Sequence, residues 1–522
     1  MSTNFTVEFL IWMMIAASVI AVLAARLRIP YTVALVLGGL ALGSTTIHLP
    51  IVETLINQRP DWLTPDVTLV VFLPALLFEG SLKLQLRQLR ENALPILLLA
   101  TVGVLAATLV TGFAAHWILG LPILVALVFG AITAATDPIS VLSIFKETSV
   151  PKRLSIIVEG ESLFNDGTSA VLYGILVAGV ASGTLGIATG IQNFFVEVLG
   201  GIALGGGLGY IFSKLTQRID EPQIEITLTT VLAYGSYLSA QSLHVSGVMA
   251  TVAAGVTLGN VGTRIGMSPR TRIALWSFWE YFSFVVNSLV FLLIGMQVHA
   301  GTLLRAWRPT LLALAMVVLG RVLSVYGLVS IGNMFSVKIP LRWQHILVAG
   351  GIRGALSLAL VLSLASNFPY REQLLTMTFG VVAMTIIFQG FAIKPLMGIL
   401  GIGIVPEDAY ELARVQQISI SAARTELDDL YRNNVISGPA FEKLGKELET
   451  RLEKAKTQIS EIYGKDANRI LPEIQMAKMK LIAAEKSSLE EAVHNGLITR
   501  QSAGKLIEAA DQELDKLSEQ GE

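Results

Sequence analysis

Long apolar runs recur through the first four hundred residues, and they constrain this chain more than any other feature. A helix needs about 20 consecutive apolar residues to cross the hydrocarbon of a bilayer. Runs of that kind lie at 7–25, 30–47, 66–82, 94–117, 121–146, 154–180, 190–213, 223–242, 245–263, 273–299, 309–335, 343–365 and 373–399. They predict an all-α polytopic membrane protein of about thirteen spans. Only 15% of the chain is charged and mean hydropathy is +0.64, which excludes an ordinary soluble enzyme. From residue 401 onward the composition changes, with 16 Lys/Arg against 22 Asp/Glu. A helical, solvated tail is expected there, for example over Ala440–Ile462 and Glu473–Ala492. The absence of cysteine removes disulfides, thiolate metal sites and cysteine nucleophiles. No Lys or Arg precedes the first apolar run, so no cleaved signal is expected.

Loop charge tests the order of the spans. Alternate loops hold 15 basic residues, among them Arg26, Lys83, Arg153, Lys214, Arg272 and Arg342, whereas the other set holds only Arg59, Arg305, Arg308 and Arg371. The bias places the basic set in the cytoplasm, the N-terminus outside and the tail inside. Depth follows from the helical rise of 1.5 Å per residue. Asp166 lies about 20 Å beyond Arg153, Asp137 about 14 Å from Lys146, and Arg353 about 16 Å beyond Arg342. All three sit near the middle of a core about 30 Å thick.

Charges at that depth are costly and mark ion or proton pathways. The stretch Val158–Ala170 concentrates them: Glu161, Ser162, Asn165 and Asp166 share one helical face. Two spans are also poor continuous helices. The fifth contains Thr136-Asp137-Pro138, where proline removes a donor and disfavours helix at the residue before it. The twelfth contains Gly350-Gly351-Ile352-Arg353-Gly354. Interrupted helices at matching positions of two repeats point to a transport site at the midplane, and spans 1–6 and 8–13 about a linker would make these two partners. The linker run, 190–213, contains Gly200-Gly201 and Gly205-Gly206-Gly207-Leu208-Gly209, which suits close packing.

Asp166 is the first candidate for an ion and proton carrier. Burial disfavours a charged carboxylate, so either a proton or a small cation can neutralise it, in competition. Backbone carbonyls freed where the fifth span unwinds can coordinate a hard cation beside Thr136 and Asp137; a proline kink capped by Asp137 would leave the same pattern. Ser162 offers either a hydroxyl ligand or a hydroxyl bonded back to its own helix. Glu79 fits a cation funnel as well as a plain interfacial acid, and Glu159 shares that ambiguity.

The motifs Phe164-Asn165-Asp166-Gly167, Thr136-Asp137-Pro138, Gly350–Gly354 and Phe278-Trp279-Glu280 through Asn287 and Phe291–Gly295 together resemble the monovalent cation/proton antiporters, on the NhaP/NHE branch. The resemblance covers roughly residues 10–400. It implies inverted repeats with two crossed, broken helices, a core bundle (94–180 and 309–399), a dimerisation part (7–82 and 223–299) and a regulatory tail over 401–522. It also implies Na+ (or Li+) held by Asp166, Ser162 and the Thr136 carbonyl, with Asp137 as ligand or organiser. Glu161 and Arg353 would form a buried ion pair, and Arg321 would stabilise the core. The Asn165-Asp166 pair resembles the branch that exchanges one proton per sodium ion. No cofactor, no nucleic acid and no catalytic residue are expected; membrane lipid and a second copy of the chain are the expected partners, in a bacterial plasma membrane. A K+/H+ antiporter of the same fold is the alternative, and a channel would differ by its conductance. An intramembrane aspartyl protease is the reading from another class, since two membrane aspartates can share a proton, but the Gly-x-Gly-Asp signature of those enzymes is absent here.

Overall fold

A computed structural model of the chain describes residues 3–44 and 65–463, less short segments within them, and isolated positions between 478 and 509. It divides into two units, Met1–Ile404 and Val405–Glu522. The described residues contain helix and no strand.

Helix occupies each of the expected apolar runs. The order is Thr3–Leu27, Tyr31–Ser44, Pro65–Lys83, Ala93–Leu119, Ile123–Ala134 with Ile139–Glu147, Lys152–Ser182, Ile187–Thr216, Pro222–Ser242, Gly247–Gly262, Pro269–Gln297, Trp307–Gly332, Leu341–Ala349 with Ala355–Leu362, and Arg371–Leu400. Among the described residues, seven helices are long and apolar enough to cross a membrane, and three shorter apolar helices accompany them. Prolines open several of them: Pro151 precedes Lys152–Ser182, and Pro222 sits in the first turn of its helix, where its missing N–H would have had no partner in any case. Gly120, at φ 69°, closes Ala93–Leu119 in the left-handed conformation that glycine adopts without steric cost.

Close approach is bought by small residues in two places. Gly201, Gly205 and Gly209, four apart on the Ile187–Thr216 helix, abut the backbone of Gly247–Thr257; a β-carbon at Gly205 would overlap the Ala250 carbonyl. Gly39 and Gly295 similarly bring Tyr31–Ser44 onto Pro269–Gln297. Tight packing of this kind holds helices together where lipid tails are as apolar as the side chains. The opposite face of Ile187–Thr216 exposes Ile191, Phe195, Leu199 and Ile211, as a lipid-facing helix requires.

Both expected interruptions are present. In the first, Ala135 turns to extended geometry (φ −57°, ψ 137°) before Asp137-Pro138. In the second, helix stops at Ala349 and resumes after Gly354 (φ −135°, ψ −150°). The two gaps meet: the Asp137 N–H donates to the Ile352 carbonyl at 2.8 Å. Gly354 is what allows this approach, because a β-carbon there would overlap the Asp137 carboxyl group. Helix ends leave unsatisfied backbone groups, and here each gap supplies partners for the other.

In the second unit, Ala409–Arg432 and Gly438–Tyr463 form an antiparallel pair, with Tyr431 stacked on Phe441 at 4.4 Å and Arg424 bonded to Glu449 at 3.1 Å. The expected tail helix over Ala440–Ile462 falls within this pair; of the one over Glu473–Ala492, seven positions between 478 and 489 are described, all helical, and the others lie outside the described residues.

Candidate functional site

The site is built where the Lys152–Ser182 helix passes the two gaps. Its buried face presents Glu161, Ser162, Asn165 and Ser169, each a turn or less from the next. Asn165 is the clamp. Its amide nitrogen lies within hydrogen-bonding distance of the Ala134 carbonyl (3.2 Å), Thr136 Oγ1 (3.1 Å) and Glu161 Oε1 (3.2 Å), while its oxygen accepts from Ser169 Oγ (3.0 Å). The Ser162 and Thr136 hydroxyls complete the link at 3.2 Å. The freed end of Ile123–Ala134 is therefore pinned to the neighbouring helix by side chains that a continuous helix would not need.

A cavity of about 110 Å³ opens against this framework, lined by Thr136, Asp137, Asp166, Glu79, Glu159 and Ser283 among others. Asp137 and Asp166 are half-buried in its wall. One Asp137 oxygen accepts from the Ile139 N–H at 2.9 Å and so caps the helix that restarts there. Asp166 makes no hydrogen bond or ion pair among the described residues. Glu79 is paired with Lys83 at 2.5 Å. Ser162 and Asn165 do not line the cavity: both are buried one layer behind it, in the network that holds the gap open.

The ion pair differs from the expected one. Glu161 is paired with Arg321, not with Arg353: Nη1–Oε1 is 2.7 Å and Nη2–Oε2 is 3.1 Å, a fork-to-fork geometry. The same guanidinium caps the broken helix, since Nε and Nη2 also reach the Leu347 carbonyl at 3.2 and 2.9 Å. Arg353 is fully buried nearby, donates from Nη1 to the Gly351 carbonyl at 2.7 Å, and has no partner for Nε among the described residues. The physical reason is reach. Arg353 sits inside the gap it belongs to and folds back on its own backbone, whereas Arg321 approaches from a continuous helix with its side chain extended across to Glu161.

Sequence reasoning did not find Thr385, whose hydroxyl accepts from the Arg353 N–H at 3.1 Å. One threonine among several in an apolar run gives no signal. It also did not find the role of Gly354 as the point of contact between gaps, although that glycine belongs to the conspicuous Gly350–Gly354 run.

The geometry is accompanied by likenesses to one known family and to three known proteins. A family profile described as "Sodium/hydrogen exchanger, transmembrane" matches residues 13–398. The chain is 39% identical over 450 residues to the Na(+)/H(+) antiporter NhaG of Bacillus atrophaeus, covering 81% of this chain and 84% of that one. It is 32% identical over 517 residues to the Na(+)/H(+) antiporter NhaS2 of a Synechocystis strain, covering 97% and 93% respectively. In fold it is similar to the sodium proton antiporter MjNhaP1 from Methanocaldococcus jannaschii, with a TM-score of 0.62 at 22% identity over 77% of this chain and 100% of that one.

Proposed function

This chain belongs to the transmembrane sodium/hydrogen exchanger family, and we propose that it exchanges one Na+ for one H+, both carried in turn by Asp166. The observation that supports this most is the state of the carboxylates around the cavity. Behind the cavity Glu161 is committed to Arg321; on its wall Glu79 is committed to Lys83, with Glu159 in electrostatic reach of the same ammonium, and one oxygen of Asp137 to a helix end, whereas Asp166 stands there without a hydrogen bond or ion pair among the described residues. A hard cation seeks oxygen ligands, and Asp166 with Asp137 and Thr136 supplies them around one space. Ser162 and Asn165 act from behind by fixing Thr136. Proton and cation compete for the same carboxylate, so the carrier crosses loaded with one or the other.

The chain is an integral membrane protein. We further propose a bacterial plasma-membrane location, the N-terminus outside and the tail inside, a homodimer formed through the 7–82 and 223–299 parts, and no cofactor. Alternating access follows from movement of the two broken helices with the Lys152–Ser182 helix, which they grip.

Exchange of this kind does not respond to membrane potential, because the Asp166 site has the same charge with Na+ as with H+. Moving one net charge across 100 mV would be worth about 2.3 kcal/mol, more than tenfold at equilibrium. In proteoliposomes clamped with valinomycin and varied potassium, the Na+ ratio at which net proton flux vanishes is expected to stay at equal Na+ and H+ gradients. A null point that moves with potential would overturn one-for-one exchange and make Asp137 the first suspect for a second titrating group. A null point set by the K+ gradient and indifferent to Na+ would replace Na+ by K+.

A further inference from the structure

We propose that the Ser357 hydroxyl is an additional group that contacts the transported cation, contributed by the second half of the broken helix Leu341–Leu362. Ser357 is the third residue of Ala355–Leu362, the segment that restarts just after Gly354 touches Asp137. It forms part of the wall of the same cavity as Thr136, Asp137 and Asp166. The residue is 0% exposed, yet its Oγ has no hydrogen-bonding partner among the described residues.

That is unusual for a hydroxyl in a helix, which ordinarily bonds back to a carbonyl three or four residues earlier. Other hydroxyls nearby do so: Thr133 bonds to the Phe129 carbonyl at 2.8 Å, Thr168 to Phe164 at 3.0 Å and Thr385 to Val382 at 3.0 Å; the buried hydroxyls of Thr108 and Thr378 share the lack of a partner among the described residues, but neither residue lines this cavity. For Ser357 the corresponding carbonyls belong to Arg353 and Gly354, which lie in the gap and outside the helix. The interruption thus leaves the Ser357 hydroxyl, on the cavity wall, without its usual local acceptor. A buried hydroxyl left without a bond is unfavourable, and a hard cation satisfies its oxygen directly. Cation binding would then draw the Lys152–Ser182 helix and the restarted half-helix together through one ion.

This inference rests on Asp166 being the carrier, and its test leaves Asp166 intact. In full-length protein in proteoliposomes, Ser357→Ala is expected to raise the KM for Na+ about tenfold, equivalent to about 1.4 kcal/mol, with kcat little changed. Ser357→Thr, which keeps a hydroxyl, should recover most of the affinity. Without Na+, the purified Ser357→Ala protein should melt no lower than the parent, because an unsatisfied group has been removed. The rise in melting temperature on replacing choline chloride by NaCl should shrink. A parental KM together with a parental Na+-dependent shift would overturn the proposal. So would a protein that melts lower without Na+ while its KM is unchanged, since that is the behaviour of a structural serine. Exchange that survives loss of Asp166 would instead remove the reading beneath it, whatever Ser357 does.

Discussion

Asp166→Asn is expected to bring Na+-driven proton movement in proteoliposomes down to the level of protein-free vesicles. The amide has nearly the volume of the acid and fits the same wall, but it cannot release a proton to water and take up a cation in its place, so the alternation on which exchange depends is lost. Folding should survive. Asp166 makes no hydrogen bond or ion pair among the described residues, so its replacement breaks no contact, and neutralising a group in a low-dielectric site removes a desolvation cost. The measurement pairs transport with thermal unfolding of the purified protein. A variant that melts like the parent and still dissipates a proton gradient on addition of Na+ would show that the carrier is another residue.

The second large effect concerns stability, and it separates two arginines that the sequence cannot rank. Arg321→Met removes both hydrogen bonds to Glu161 and the cap on the Leu347 carbonyl. Breaking a buried pair by deleting one partner typically costs about 3–5 kcal/mol, because the other charge stays buried without compensation. Arg353→Met removes a guanidinium whose side-chain hydrogen bond among the described residues is to the Gly351 carbonyl, and its loss should cost clearly less. Glu161→Gln combined with Arg321→Met should recover part of the loss, since the pair is removed together. Melting temperatures of the two single variants and the double variant decide the matter. A larger loss for Arg353→Met than for Arg321→Met would restore the pairing expected from sequence.

Much of the fold was legible because its signals are local. A run of about 20 apolar residues is a property of consecutive positions, and the interruptions were visible because Asp137-Pro138 and Gly350–Gly354 disfavour helix through their own backbone chemistry. The face holding Glu161, Ser162, Asn165 and Asp166 followed from helical periodicity alone. Depth, counted from charged loops, was enough to bring Asp166, Asp137 and Arg353 to one level.

What depth could not give is rotation and reach across helices. Arg321 and Arg353 both come near Glu161, and only the tertiary arrangement decides that the one on the continuous helix spans the distance while the one in the gap turns back to Gly351. The same holds for the polar face of Lys152–Ser182. Sequence placed Ser162, Asn165 and Asp166 together, but the packing of Ile123–Ala134 against that face turns Ser162 and Asn165 into a buried clamp and leaves Asp166 on the cavity wall. The sequence by itself determined a membrane-spanning helical protein with an acid at the depth of two broken helices, because apolar length and backbone breaks are written in neighbouring residues. The tertiary structure decided which acid stands open to the cavity and which arginine answers Glu161, because each of those is a contact between residues far apart in the chain.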